Sequence, residues 1–156
     1  NLLNIIEAPI YSVKNIETRE IENTISEDFP DIYADKDRLE QIMINLLGNA
    51  DKYGYPDTPI KIDAKCRNNK AIIKVINHSD YIEKEVLSTL FDKFIRLDDK
   101  TTRTTRGTGL GLYIVKGLVE AMNGKVHLKS TKKNIFTASI ILPLYDENME
   151  KDYNES

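Results

Sequence analysis

Hydrophobic and polar positions along the chain follow two different periods. Between positions 35 and 53 apolar residues recur every three or four places, which predicts a long amphipathic helix whose buried stripe is Leu39, Ile42, Met43, Leu46, Leu47, Ala50 and Tyr53. A second run over residues 109–123 has the same period and is closed by Asn123-Gly124, a common C-terminal stop. The pattern therefore predicts two long helices that pack on a core.

Alternating and continuous apolar runs predict two hairpins. The first is IKIDAKCR and AIIKVIN joined by NNK, and the second is KVHLKS and IFTASIILPL with a turn at 131–134. YSVKNIETRE and DIYAD are two further strand predictions, and a short helix is expected around 83–91. Together these elements predict an α+β fold: a two-layer α/β sandwich in which helices cover one face of a mixed, mainly antiparallel sheet.

The two ends of the chain are predicted to differ from its middle. NLLNIIEAPI predicts a helix that stops near Pro9, so residues 1–8 are interpreted as the end of a preceding helix or a linker. Residues 9–144 form the predicted domain. Residues 145–156 carry five acidic residues and one lysine, which predicts a disordered tail. Without an initiator methionine or a signal peptide, the sequence is expected to be a piece of a longer protein.

Composition limits the classes of function. The 156 residues are 40% hydrophobic and 30% charged, which is typical of one globular domain. A net charge of −3 gives no argument for nucleic acid as a partner. Cys66 is the only cysteine, so an internal disulfide is excluded and a reducing compartment is favoured. No run approaches the roughly 20 apolar residues of a membrane span.

Three glycines at every second position precede the second long helix. In RTTRGTGLGLYIVKG they are Gly107, Gly109 and Gly111, a spacing that fits neither the P-loop nor the dinucleotide motif. One interpretation is a tight turn that packs the helix against the sheet. The other is a loop whose free N–H groups, with the helix N-terminus, bind an anion.

Polar side chains line one edge of the first long helix. Asn45, Asn49 and Lys52 are spaced i, i+4 and i+7, so they share one side of the helix. Two amides and one ammonium suit Mg²⁺ together with nucleotide phosphates, whereas the alternative is a solvated edge. Because asparagine is a mediocre helix former, two of them one turn apart favour the binding site.

Three motifs in register resemble one known family. DKDRLEQIMINLLGNADKY is similar to the N box of sensor histidine kinases, LFDKFIRLD to their F box, and RGTGLGLYIVKGLVEAMNGKV to their second glycine box. The resemblance covers about residues 30–143 and is to the ATP-binding catalytic (HATPase) domain of two-component histidine kinases, within the gyrase, Hsp90 and MutL-like ATPase superfamily. It implies a Bergerat-type fold with ATP held under a mobile lid.

The resemblance implies a role for each matching residue. Asn49 would ligate Mg²⁺, and the catalytic residues would be Asn45, which supports metal and phosphates, and Arg96, which reaches the γ-phosphate. Lys52 would contact phosphate. Tyr53 would pack near the adenine or ribose, and core packing is its equal alternative. The remaining residues implied to bind ATP are Asn77, Ile82, Phe94, Arg106, Gly107, Thr108, Gly109, Leu110 and Gly111.

The lid implied by the resemblance is the polar stretch at residues 97–106, for which a nucleic-acid patch is the less favoured alternative. Hydrolases of the superfamily resemble one another in placing a glutamate base at the position of Asn45, and an amide is a poor base. Slow ATP hydrolysis and transfer of the γ-phosphate to a histidine are therefore expected. His78 and His127 fall in predicted strands, so the acceptor is expected in an upstream dimerisation and phosphotransfer domain, with a response regulator as the next partner.

The first glycine box departs from the family pattern. In VINHSDYI, Asn77 stands where an adenine-anchoring Asp is expected, and Ser79 and Tyr81 stand where two glycines are expected. Asn77 keeps a carbonyl acceptor and loses the charge, a loss on the order of 1 kcal/mol. Asp80 is a less favoured substitute, because it lies three residues along. Tyr81 either fills the base pocket or stacks on the base.

This departure leaves two hypotheses open. The first is an active protein-histidine kinase domain that uses Mg²⁺ and ATP. The second is a pseudokinase domain that binds nucleotide poorly and acts as a regulatory or docking module. Under the first, the fragment is expected to be soluble, monomeric and cytoplasmic, without a nucleic-acid partner, in a parent protein that could be membrane-anchored.

Overall fold

A computed structural model of the chain describes residues 1–13, 18–92 and 111–148. Its elements in chain order are α1 (Leu2–Tyr11), β1 (Ile21–Asn23), α2 (Lys36–Tyr53), β2 (Ile60–Arg67), β3 (Lys70–His78), α3 (Lys84–Leu87), α4 (Gly111–Ala121), β4 (Lys125–Thr131) and β5 (Ile135–Pro143). In the part of the chain so described, no helix is long and apolar enough to cross a membrane.

The strands form one sheet in the order β1-β2-β3-β5-β4. β1 runs parallel to β2, and the other neighbours are antiparallel. Asn68 and Asn69 both have positive φ, 50° and 61°, which gives the β2–β3 hairpin a two-residue turn whose twist matches its strands. Both predicted hairpins and the mixed, mainly antiparallel sheet are confirmed.

The helices cover one face of the sheet, as predicted. Alternate residues of the central strands are fully buried beneath them, including Ile73 in β3 and Ile140 in β5, each 0% exposed. The apolar stripe of α2 packs on these strands, and Val115 and Val119 of α4 complete the core. Because successive strand residues point to opposite faces, the same strands present their other residues on the uncovered side.

Several local predictions were wrong. α1 does not stop at Pro9 but continues to Tyr11, because the loss of one helix hydrogen bond is offset by burial of the proline ring in the core. The strand predicted over YSVKNIETRE is absent from its described residues, and the three-residue β1 follows it, where the chain pairs in parallel with β2. DIYAD forms an isolated bridge, Ile32 to Leu144. The helix expected over 83–91 is only α3, four residues long.

Both ends of the described chain contact the domain. Leu2 and Ile6 of α1 are buried in the common core, at 2% and 0% exposure. After β5, the Tyr145 N–H donates to the Asp31 carbonyl at 2.8 Å. The boundaries at residues 8 and 144 stay predictions. The sequence after position 148 lies outside the described residues, as do residues 109–110 of the helix predicted over 109–123.

Candidate functional site

The polar edge of α2 borders the apolar stripe that holds the helix on the sheet. Asp35 caps the helix by accepting from the Arg38 N–H at 3.0 Å, which fixes where the helix starts. From that start, Asn45, Asn49 and Lys52 fall at the rim between core and solvent, each half-buried. The structure therefore brings these three predicted residues together on one side of α2.

Asn45 has an amide group that is only half satisfied. Its Oδ1 accepts from the Gln41 side chain at 3.0 Å, one turn earlier. Its Nδ2 is buried and has no hydrogen-bond partner among the residues that the structure describes. A buried donor without a partner is unfavourable by about 1–3 kcal/mol, so such a donor is suited to a ligand oxygen.

Asn49 lies against the beginning of α4. A β-carbon on Gly111 would lie 3.4 Å from Nδ2 and 3.5 Å from Oδ1 of Asn49. The last of the three glycines therefore places no side chain against the Asn49 amide at the first residue of the 11-residue α4. This end of a helix favours anions, and the amide oxygen beside it suits a hard cation.

Lys52 and Tyr53 form a cation–π contact at the C-terminal end of α2. The Lys52 Nζ lies 5.2 Å from the centre of the Tyr53 ring. Tyr53 is half-buried and is not among the buried core residues, in contrast to the residues of the apolar stripe. Tyr53 is thus not among the fully buried residues, and its ring lies at the same rim as the polar edge.

Asn77 is a buried polar residue at the end of β3. It continues the alternation of Ala71, Ile73 and Val75 on the helix-covered face, and it is only 4% exposed. A β-carbon on Gly54 would lie 3.1 Å from its Nδ2, so the amide sits beneath the C-terminus of α2. An amide in this position faces the interior between helix and sheet.

The segment after β3 is tied to the second hairpin. The Ser79 N–H donates to the Asn134 carbonyl at 3.1 Å, and the Ile82 N–H donates to the Ser130 hydroxyl at 3.0 Å. Tyr81, between these two anchors, is 42% exposed. Its ring is therefore not buried in the core beside Asn77.

A buried ion pair below this region was missed by the sequence analysis. Arg19 Nε donates to Asp51 Oδ1 at 3.0 Å, and both side chains are 6% exposed. The same guanidinium donates to the carbonyls of Tyr55 and Thr58 at 2.7 and 2.8 Å. Arg19 thus fixes the loop that follows α2. One signal was available: Asp51 follows Ala50 on the buried side of the helix, where a carboxylate requires a partner.

Tyr55 joins this loop to the segment after β3. Its N–H donates to the His78 carbonyl at 2.7 Å, and its hydroxyl donates to the Asp80 carboxylate. The hydrogen bond to Asp80 is the main cause of a raised pKa for the Tyr55 phenol, with desolvation and the Asp80 charge acting in the same direction. Asp80 is thus occupied by Tyr55, a contact that the sequence did not reveal.

Several predicted site residues lie outside the described residues. These are Phe94, Arg96, Arg106, Gly107, Thr108, Gly109 and Leu110, together with the lid predicted at 97–106. Within the described ranges, no group of three or more His, Cys, Asp or Glu side chains could hold a metal ion. Among the described residues of this site, the side-chain oxygens suited to a hard cation are those of the Asn45 and Asn49 amides.

Comparisons with known proteins give one consistent result. Residues 34–146 match the family described as histidine kinase-, DNA gyrase B-, and HSP90-like ATPase. The autoinducer 2 sensor kinase/phosphatase LuxQ of Vibrio harveyi is 34% identical over 147 residues, which is 90% of this chain and 17% of that protein. The sensor protein SrrB of Staphylococcus aureus is 35% identical over 70% of this chain and 19% of its own length. The chain thus spans less than a fifth of either relative.

Solved structures share the fold. The mycobacterial sensor histidine kinase MprB superposes with a TM-score of 0.80 at 21% identity, covering 92% of this chain and 95% of that one. Full-length ShkA in complex with AMPPNP gives a TM-score of 0.74 at 25% identity, covering 92% of this chain and 29% of that one. The two-layer sandwich described above is therefore the fold of these catalytic domains.

Proposed function

This chain belongs to the histidine kinase-, DNA gyrase B- and HSP90-like ATPases, as an ATP-binding catalytic domain of the histidine kinase type. We propose that it holds Mg²⁺ and ATP along the polar edge of α2. The γ-phosphate is transferred to a histidine of another domain. The observation that carries this proposal is the Asn49 amide lying against Gly111 of α4, with the unpaired Asn45 donor one turn earlier on the same side of α2.

The phosphate end of the site fits a magnesium nucleotide. The Asn45 Nδ2 donates to a phosphate oxygen, which removes the cost of a buried amide without a partner. Asn49 Oδ1 holds the metal, and Lys52 adds a positive charge at the same rim. When bound, Mg²⁺ neutralises charge on the phosphates during phosphoryl transfer. These three residues bind and orient, and none of them is a base that would activate water.

The base end of the site is assigned to Asn77, Tyr53 and Tyr81. The Asn77 amide carbonyl accepts from the exocyclic amino group of adenine in place of a carboxylate. Tyr53 packs beside the nucleoside at the rim of α2. The 42% exposure of Tyr81 supports stacking on the base rather than filling of its pocket. Ile82, tied to Ser130, supplies an apolar wall.

The acceptor histidine is assigned to a separate domain. His78 and His127 both take outward positions on strands, opposite Ile135 and Ser139, on the side of the sheet away from the helices. Asn45 and Asn49 belong to the helix layer, so the sheet lies between the site and both histidines. We therefore assign the acceptor to an upstream dimerisation and phosphotransfer domain, with a response regulator as the next partner and the cytoplasm as the location.

Calorimetric titration with a non-hydrolysable ATP analogue tests the nucleotide site. We expect the unaltered chain to bind the analogue only in the presence of Mg²⁺. Asn49→Ala should lower the affinity at least about tenfold, and its remaining binding should no longer depend on Mg²⁺. Asn148→Ala, at a remote exposed asparagine, should change neither property. Absence of binding to the unaltered chain would instead support the pseudokinase hypothesis, for which the relatives give no support.

Phosphate release tests the chemistry separately. Because the site has an amide at position 45, the chain alone is expected to release inorganic phosphate from ATP scarcely faster than a protein-free control. Rapid Mg²⁺-dependent release that Asn49→Ala abolishes would identify a hydrolase and would contradict transfer to a histidine.

A further inference from the structure

The uncovered face of the sheet carries a concentrated positive charge. Strand alternation sends to that face Lys61, Lys65 and Arg67 from β2, Lys70 and Lys74 from β3, and Lys125 and Lys129 from β4. We call these seven cations the basic sheet face. All are exposed except Lys74, which is half-buried, whereas the alternating positions Ile60, Ile62, Ala71, Ile73 and Leu128 of the same strands are buried. The basic sheet face is thus one continuous surface.

The cations flank an aliphatic stripe. In one row across the sheet, Lys65 is opposite Ile72, Ile72 is opposite Ile141, and Ile141 is opposite Lys125. In another row, Ile76 separates Lys61 from Thr137 and Lys129. Three strand spacings place the outer rows of cations about 14 Å apart. Lysine stems on such a surface can cover neighbouring isoleucines while their charges stay in water.

The positive charge is not neutralised within the described chain. Asp63 is the one acidic residue among the outward positions of β2–β5, and its carboxylate accepts from the Thr24 hydroxyl at 3.0 Å. None of the seven cations forms an ion pair with a described carboxylate. With a net charge of −3 overall, a face carrying six net positive charges leaves nine net negative charges on the rest of the chain. Such separation of charge is complementary to an anionic partner.

The character of the face indicates which anionic partner it fits. No outward position of β2–β5 holds Tyr, Phe or Trp, so the aromatic residues typical of protein interfaces and of single-stranded nucleic acid sites are missing there. Six of the seven cations are lysines, which act as point charges and do not require a fixed partner geometry. A cluster of this size on an extended surface matches the anionic headgroups of a bilayer.

We propose that the basic sheet face docks the domain on an anionic membrane surface. The helix layer, with Asn45 and Asn49, then faces away from the lipid, so docking leaves the candidate nucleotide site accessible. This proposal is independent of the proposed function, because neither the seven cations nor the isoleucine stripe belongs to the nucleotide site.

Co-sedimentation of the full 156-residue chain with lipid vesicles tests the proposal. We expect binding at low salt to phosphatidylcholine vesicles that contain about one third phosphatidylglycerol, and no binding to pure phosphatidylcholine. Raising the salt to about 0.5 M should release the protein. The triple variant Lys65→Glu, Lys74→Glu, Lys129→Glu should bind at least about tenfold more weakly.

The matched control reverses the same amount of charge on the helix side. This control variant carries Lys36→Glu, Arg38→Glu and Lys84→Glu, at positions outside both the nucleotide site and the basic sheet face. Its affinity for vesicles should stay within about twofold of that of the unaltered chain. Circular dichroism checks that each variant folds. If the triple variant does not fold, the neutral variant Lys65→Gln, Lys129→Gln replaces it. Equal losses in both charge-reversed variants would show an effect of net charge and would overturn the proposal.

Two further outcomes would assign the face to another partner and overturn the lipid proposal. One is tighter binding to a labelled DNA duplex than to vesicles at equal phosphate concentration and salt. The other is binding to polyglutamate without binding to anionic vesicles, which would indicate an acidic protein.

Discussion

Gly111, at the start of α4, lies against the side-chain amide of Asn49 and places no side chain over it. A β-carbon at position 111 would make van der Waals contact with both the oxygen and the nitrogen of that amide, at 3.5 and 3.4 Å. The absence of a side chain therefore keeps open the place where an amide oxygen and a helix N-terminus meet. Glycine at this position therefore leaves room for a ligand beside the Asn49 amide.

A valine at position 111 should block nucleotide without unfolding the domain. Its methyl groups would extend over the Asn49 amide, and we expect the affinity for the magnesium form of a non-hydrolysable ATP analogue to fall about tenfold or more in calorimetry. Gly117→Val is the matched control, because position 117 lies on the same helix with nothing within 4 Å of a β-carbon. Equal affinities for the two variants would contradict the site.

An aspartate at position 77 should strengthen adenine recognition and weaken the fold. Asn77→Asp converts a neutral acceptor into a charged one, so the affinity for the ATP analogue should rise about fivefold, with a smaller change for GTP. Because position 77 is 4% exposed, the nucleotide-free variant should melt at a lower temperature. Asn148→Asp adds the same charge at an exposed position, and it should change neither quantity. Unchanged ATP affinity for Asn77→Asp would remove Asn77 from the base pocket.

The elements that could be predicted are those whose signal is local. The period of α2 and its cap at Asp35 lie within twenty residues, and each long hairpin is closed by its own turn. The polar edge of α2 follows from the same period, so the prediction that Asn45, Asn49 and Lys52 share one side of the helix is confirmed, whereas their role in a site stays a prediction. These are features that a short stretch of chain determines through its own geometry.

The features that could not be predicted depend on distant partners. Arg19 and Asp51 are 32 residues apart, and nothing near Arg19 shows that its guanidinium is buried. β1 has only three residues, and it is defined by its pairing with β2 rather than by its own pattern. Pro9 stays within α1 because tertiary packing outweighs a local helix-breaking preference.

Removing the Arg19 guanidinium should destabilise the domain strongly. Arg19→Met removes the guanidinium that pairs with the buried Asp51 carboxylate and that holds the loop at Tyr55 and Thr58, so we expect a loss of about 3–5 kcal/mol in the free energy of unfolding by urea. The double variant Arg19→Met, Asp51→Leu should recover much of that loss, because it removes the buried carboxylate together with the guanidinium. As a control, Glu120→Gln breaks the exposed pair with Lys116 and should change the free energy by less than about 1 kcal/mol. A loss in Arg19→Met no larger than in Glu120→Gln would show that the buried pair does not hold the loop.

Deprotonation of Tyr55 should weaken the fold at alkaline pH. The Tyr55 hydroxyl donates to the Asp80 carboxylate, and this hydrogen bond raises the pKa of the phenol above its ordinary value of 10.0. The folded state therefore holds this proton more tightly than the unfolded chain does. The stability that the contact contributes is fully present below pH 10.0 and is lost as the pH rises through the raised pKa.

Two measurements test the raised pKa of Tyr55 and the loss of stability that follows from it at alkaline pH. In an alkaline titration of phenolate absorbance, Tyr55→Phe should remove a tyrosine that ionises later than an ordinary phenol, and Asp80→Asn should shift its ionisation to lower pH. The free energy of unfolding should fall less steeply above pH 10.0 in Tyr55→Phe than in the unaltered chain. Tyr11→Phe is the control, because Tyr11 is 71% exposed on α1 and lies apart from the loop that Tyr55 holds. If Tyr55→Phe and Tyr11→Phe change the titration identically, the hydrogen bond to Asp80 does not form in solution, and the loop after α2 is then held by Arg19 and by the backbone hydrogen bond from Tyr55 to His78.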